Sequence, residues 1–102
     1  MAHYSLVSVT PTSDAWIPAY LEAVGPVVAR HGGRYLARTA SHERFEGSGD
    51  KPALQVIVEW PSKAAEDASY RDPDYASQLA ARMGGSVSSW YSVAGVDDFA
   101  SV

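Results

Sequence analysis

A chain of 102 residues, 46% apolar and 20% charged, is the size of one domain, and its three Trp, six Tyr and two Phe supply enough bulky apolar surface to exclude disorder. The net charge is −4, and the eight Lys and Arg (Arg30, Arg34, Arg38, Arg44, Lys51, Lys63, Arg71 and Arg82) are scattered, so no basic run neutralises a row of phosphates and nucleic-acid binding is not expected. The absence of Cys removes disulfides, thiolate nucleophiles and Cys-bound metals.

Tyr4 to Val9 reads as a first strand, closed by the turn residues Thr10-Pro11-Thr12-Ser13. The spacing of Ile17, Tyr20, Leu21, Val24, Val28 and His31 predicts an amphipathic helix. Ser13 or Asp14 can cap its start, Pro18 fits its first turn, and Gly32-Gly33 ends it. Pro26 removes a backbone bond inside it and should kink or weaken it near Glu22 and Ala23. Arg34 to Thr39 is a second strand, with Ala40 to Glu46 as an irregular continuation and residues 47–52 as a loop. Ala53 to Trp60 is the strongest strand. Leu54, Val56, Val58 and Trp60 share one face, and Gln55, Ile57 and Glu59 the other. Pro61 stops this strand and Ser62 caps a helix over Lys63 to Tyr70. Asp72-Pro73 breaks it. A short helix follows from Asp74 to Met83, with Tyr75, Leu79 and Arg82 or Met83 on one side, ended by Gly84-Gly85. Ser88 to Val96 is the last strand. The domain therefore spans residues 1–96, with a peripheral tail at 97–102.

The order β-α-β-β-α-(α)-β predicts an α+β, ferredoxin-like βαββαβ protomer: a four-stranded antiparallel sheet with its helices on one face. The other face, carrying Gln55, Ile57 and Glu59, is left uncovered and predicts a homodimer. No signal-peptide pattern opens the chain and no apolar run reaches the ~20 residues of a membrane span, so a cytoplasmic protein without membrane contact is expected.

An ordered set of short motifs carries a resemblance. His31-Gly32-Gly33-Arg34-Tyr35-Leu36-Ala37-Arg38, then Glu46-Gly47, Glu59-Trp60-Pro61-Ser62, Asp72-Pro73-Asp74-Tyr75 and Arg82, with Tyr20 and Pro26 upstream, resemble the family called domain of unknown function 1330, over residues 4–96. The resemblance implies a ferredoxin-like protomer of the dimeric α/β-barrel superfamily. That superfamily holds cofactor-independent monooxygenases, small isomerases and cyclases, haem-dependent enzymes and proteins without known chemistry. Two departures stand out. Pro18 sits in the first helical turn, and Thr39-Ala40-Ser41-His42 replaces a common Gly-Gly pair, which puts an imidazole near the hairpin.

Arg38 and Glu59 are the first candidate pair, on strands expected to be neighbours. A guanidinium beside a carboxylate can bind an acidic substrate or hold Glu59 ionised as a base; the plain alternative is a structural ion pair. His42, four residues before Glu46, is a candidate general acid or base, against the reading of a solvated surface imidazole. Tyr35 and Tyr75 are candidate substrate-binding residues in a pocket suited to an aromatic or polyketide-like ligand, against a purely core role. His31 reads as structural at a helix C-terminus, and His3 as mobile. His3, His31 and His42 have no metal-ligand spacing, so no metal or cofactor is expected.

Two functions follow. The first is a cofactor-independent enzyme acting by proton transfer on a small organic substrate, with Arg38 as anion anchor and Glu59 or His42 as base. The second is a non-catalytic dimeric module that binds a small molecule or simply assembles. The enzyme reading predicts a closed pocket of roughly 300 Å³ or more with at least two of Arg38, His42 and Glu59 pointing into it; if those side chains face solvent or pair across the interface instead, the binding or structural reading gains.

Overall fold

Alternation along two central strands decides which side of the sheet is covered. In the computed structural model, which describes residues 1–100, Ser5, Val7 and Val9 on β1 (His3–Pro11) and Val58 and Trp60 on β3 (Leu54–Trp60) are buried. The helix α1 (Ile17–Arg30) lays Val24, Val27 and Val28 against this apolar face, and α3 (Pro73–Gly85) adds Tyr75. The remaining elements are β2 (Arg34–Thr39), α2 (Lys63–Tyr70) and β4 (Ser86–Ala94). The sheet order is β2-β3-β1-β4, with every neighbouring pair antiparallel. This is the ferredoxin-like arrangement expected from the element order.

The uncovered face is apolar along one continuous row. Ala37 pairs with Ile57, Ile57 with Leu6, and Leu6 with Tyr91. Leu6, Leu36, Val87, Tyr91 and Val93 are all exposed. No helix among the described residues is long and apolar enough to cross a membrane.

Several local expectations are corrected. The stretch from Ala40 to Glu46 is not strand: Thr39 pairs with Gln55 beside the start of β3, so little partner backbone remains for it. The last strand starts at Ser86 and ends at Ala94, because it follows β1 from Pro11 back to His3. The helix α1 runs unbroken through Pro26, held by burial of Val24, Val27 and Val28 on either side of it. Its N-cap is Trp16, without a side-chain cap bond, rather than Ser13 or Asp14. Leu21, on the predicted apolar stripe, is exposed. His3 is not free: it opens β1, and its Nε2 lies 2.7 Å from Ser92 Oγ. Of the predicted tail, residues 98–100 form a turn, and 101–102 lie outside the described residues.

The starts of α2 and α3 follow ordinary cap chemistry. Ser62 Oγ accepts from Ala65 N–H at 3.1 Å, and Asp72 Oδ1 accepts from Asp74 N–H at 2.8 Å. Asp72 also joins α3 to the end of α1, because His31 Nε2 lies 2.7 Å from its Oδ2. That contact, followed by the Asp74 N–H and Arg30, holds the Asp72 carboxyl below the ordinary range. His31 is structural, as its position predicts.

Gly33 carries a packing test. A Cβ there would stand 2.6 Å from both Trp60 Cζ3 and Val28 Cγ1, two buried side chains without room to move. Gly33→Ala is expected to destabilise by about 1–3 kcal/mol in urea unfolding. Gly84→Ala, in α3 with nothing within 4 Å of its Cβ, is expected to stabilise by about 0.5–1 kcal/mol. A neutral Gly33→Ala would contradict the tight fit between α1, β2 and β3.

Candidate functional site

Between the covered face of the sheet and the helices α1 and α3 lies a cavity of about 110 Å³. Val7, Val9, Val24, Val28, Val56 and Val58 form much of its wall. The polar side chains in its lining are three phenols (Tyr20, Tyr35, Tyr75), two guanidiniums (Arg38, Arg82) and the indoles of Trp16, Trp60 and Trp90. No carboxylate or imidazole lines it among the described residues.

Each of these groups is placed by strand or helix periodicity. Arg38, Val56, Val7 and Trp90 form one lateral row across the covered face, through the pairs Arg38–Val56, Val56–Val7 and Val7–Trp90. Tyr75 and Arg82 are seven residues apart, two turns along the buried side of α3. Tyr20 reaches across from α1, and its hydroxyl lies 2.8 Å from the Tyr75 hydroxyl. Edge-to-face contacts link Trp16, Tyr20, Tyr75, Tyr70 and Trp90 in a chain, with ring centroids 5.1–6.1 Å apart.

The environment keeps the Tyr20 and Tyr35 phenols protonated. Burial, reinforced by Tyr75, pushes the Tyr20 hydroxyl far above the ordinary phenol range. Burial also raises Tyr35, against the opposing pull of Arg38, whose guanidinium carbon stands 4.2 Å from the Tyr35 ring centroid. Arg82 is 4% exposed. Burial alone would lower its pKa, but the neighbouring Tyr75 and Tyr20 oxygens outweigh this and hold it above its ordinary value. Its Nη1 donates to Ser88 Oγ at 2.7 Å, and its Nε has no hydrogen-bond partner.

Of the residues singled out from sequence, Tyr35, Tyr75 and Arg38 come together at this cavity. Glu59 and His42 do not line it. The expected Arg38–Glu59 pair is corrected by a β-bulge: the β2–β3 register shifts between Tyr35 and Ala37. The extra residue puts Arg38 on the same face as Tyr35, while Arg34 and Glu59 share the uncovered face. Glu59 Oε1 accepts from Arg34 Nη2 at 2.7 Å, and its Oε2 from the Tyr4 hydroxyl at 3.4 Å. His42 lies in the loop after β2, where it lines an open groove with Ser8 and Gln55. The cavity is also smaller than the roughly 300 Å³ set by the enzyme reading, and only one of its three named residues reaches it.

Sequence reasoning missed the polar contribution of Tyr20 and Arg82. Their signal was present as periodicity, Tyr20 on the α1 stripe and Arg82 on the α3 face with Tyr75 and Leu79. A second missed group is Glu66, a buried carboxylate on α2 that accepts from Ser5 Oγ, Ser92 Oγ and Trp90 Nε1. Nothing in the Ala-rich run around it marks it as buried.

Solved structures share the fold at low identity. The RPA0582 protein of unknown function from Rhodopseudomonas palustris is 22% identical, with a TM-score of 0.76 over 94% of this chain and 83% of that one. SnoaB, a cofactor-independent oxygenase from Streptomyces nogalater, is 17% identical, with a TM-score of 0.57 over 97% of this chain and 95% of that one. A dimeric ferredoxin-like protein of unknown function from Jannaschia sp. CCS1 is 18% identical, with a TM-score of 0.59 over 89% of this chain and 98% of that one. No curated protein matches. The family model described as domain of unknown function (DUF1330) matches residues 2–96, and the chain belongs to that family.

Proposed function

We propose that the protein is a homodimer whose protomers each take a small organic molecule, aromatic or polyketide-like, into the cavity and move a proton at one of its oxygens without a cofactor. The observation that carries this reading is the Tyr20–Tyr75 hydroxyl pair, 2.8 Å apart, in a cavity with otherwise largely apolar walls. A buried phenol whose proton is held tightly is a weak acid but a good hydrogen-bond donor, so the pair stabilises an oxygen on which negative charge develops while solvent takes the proton from the adjacent carbon. Arg38, exposed and lining the cavity, serves as the anchor for an anionic group at the rim. With no carboxylate or imidazole among the described lining residues, the protein's share of the chemistry is hydrogen-bond donation and charge stabilisation, and solvent is the base. Glu59 and His42, away from the cavity, are assigned to the region a second copy covers rather than to the role of base in it. The shared fold of the cofactor-independent oxygenase is consistent with this reading and carries no residue roles to it.

The second reading, a non-catalytic binding module, is favoured by that same lack of a base, by a cavity below roughly 300 Å³ and by Arg38 alone of Arg38, His42 and Glu59 lining it. Proton exchange separates the two. In D2O, α-proton exchange of small enolisable aromatic ketones is followed by NMR with and without protein. The expected result is protein-dependent exchange that falls about 100-fold or more in Tyr75→Phe. Saturable binding without exchange makes the protein a binding module. Neither binding nor exchange overturns the cavity as a ligand site.

The dimer rests on the row Ala37, Ile57, Leu6 and Tyr91 across the uncovered face. A charge placed there would be buried without a partner. Light scattering after gel filtration is expected to give twice the chain mass at micromolar concentration, and the single-chain mass for Ile57→Asp. A monomeric wild type contradicts the dimer, and an unchanged Ile57→Asp dimer contradicts the face assignment.

A further inference from the structure

We propose that the outer edge of β4 is a second docking surface, and that it takes the β4 edge of another copy of this chain, antiparallel about a twofold at Trp90. The inference is independent of the cavity and of the apolar sheet face, because it concerns backbone groups at the rim of the sheet.

The order β2-β3-β1-β4 leaves two strands with one side unpaired, and the two are unlike. An unpaired edge offers a row of N–H and C=O groups to any other strand, and proteins blunt such edges with charge, brevity or a bulge. β2 has all three. It is six residues long, it carries Arg34 and Arg38, both exposed, and its register shifts between Tyr35 and Ala37. β4 has none of them. It runs nine residues, Ser86 to Ala94, without a charge or a proline. Its register against β1 is unbroken from Pro11–Ser86 to His3–Ala94. Among the described residues no backbone group bonds to its outer side, and residues 91–94 are all exposed.

The order of side chains along β4 selects the occupant. Ser-Val-Ser-Ser-Trp-Tyr-Ser-Val-Ala reads nearly the same in both directions about Trp90. A twofold there sets Val87 opposite the partner's Val93, and Ser88 opposite the partner's Ser92. Valine meets valine on the uncovered face, hydroxyl meets hydroxyl on the covered face, and no like charges are brought together. Each of these pairs occurs twice, as contact across a twofold requires. An unrelated extended peptide would gain the backbone bonds without the matched side chains.

The edge is a strip about 30 Å long and about 10 Å thick, well short of the roughly 1,200 Å² of a stable interface. Edge pairing is therefore weaker than a sheet-on-sheet dimer and emerges at high concentration. Between single chains it stops at two, because the short, charged and bulged β2 offers no second open edge.

Sedimentation velocity from about 10 μM to about 1 mM reads the association. The wild-type mass is expected to climb above its low-concentration value, and Ile57→Asp, with its sheet face spoiled, to go from one chain to two. Ser92→Lys sets a charge at the edge and leaves the uncovered face alone, and it should weaken the association about tenfold or more. Should Ser92→Lys fail to fold, cross-linking still decides. Ser88→Cys and Ser92→Cys proteins, one of them isotope-labelled, are mixed and joined by a short bifunctional thiol reagent, and mass spectrometry should find mixed pairs dominating over like pairs. A mass constant to about 1 mM overturns the proposal, as does undiminished association in Ser92→Lys or growth of Ile57→Asp beyond two chains. Like pairs that match or outnumber mixed ones place the contact in another register or elsewhere, and overturn it too.

Discussion

Trp60 and Val58 on β3 meet Val24, Val27 and Val28 on α1, and this contact fixes which side of the sheet is covered. Each such side chain is worth roughly 1.5–3 kcal/mol when fully buried. Because strand side chains alternate, burying Val58 and Trp60 commits Ile57 and Glu59 to the other side. The pairing register then carries the choice across all four strands. One face gains a helical cover and a cavity beneath it. The opposite face keeps Leu6, Leu36, Val87 and Tyr91 in contact with water.

The bulge in β2 acts within this frame. One extra residue between Tyr35 and Ala37 turns Arg38 towards the covered face. The cavity thereby gains a guanidinium stacked on Tyr35, and the carboxylate that would have neutralised it stays behind with Arg34. The same separation holds deeper in, where Arg82 is surrounded by phenols and indoles instead of acids. A mildly acidic protein has thus gathered two positive charges, and none of its carboxylates, around its apolar cavity.

The element order, both faces of β3 and the cap at Ser62 were legible in the sequence because they rest on local chemistry, whereas Asp72 read only as a helix break and turned out to cap α3. Alternation fixed β3, and a short polar side chain before a helical run fixed the Ser62 cap. The bulge was not legible. Tyr35-Leu36-Ala37-Arg38 reads as ordinary strand, and only the register against β3 reveals the extra residue, so Arg38 and Glu59 looked like partners. The choice between Arg82 and Met83 as the inward residue was equally open, since both spacings from Leu79 suit a helix face; packing buries Arg82 and leaves Met83 exposed. Pro26 misled because a lost backbone bond is visible in sequence and the compensating burial around it is not. Tyr75 and Tyr35, named from the sequence, line the cavity; the Tyr20 hydroxyl beside Tyr75 was hidden inside a hydrophobic stripe.

The division into a cavity side and a docking side is tested most directly by where two copies meet. The chain has no Cys, so Ser89→Cys on the uncovered face and Glu22→Cys on the outer side of α1 each take one spin label per protomer. Electron–electron distance measurements on the two labelled proteins should give a clear inter-protomer distance at Ser89 that is shorter than the one at Glu22, since facing sheets pack about 10 Å apart. A Glu22 pair closer than the Ser89 pair, or no dipolar coupling at Ser89, would contradict the account.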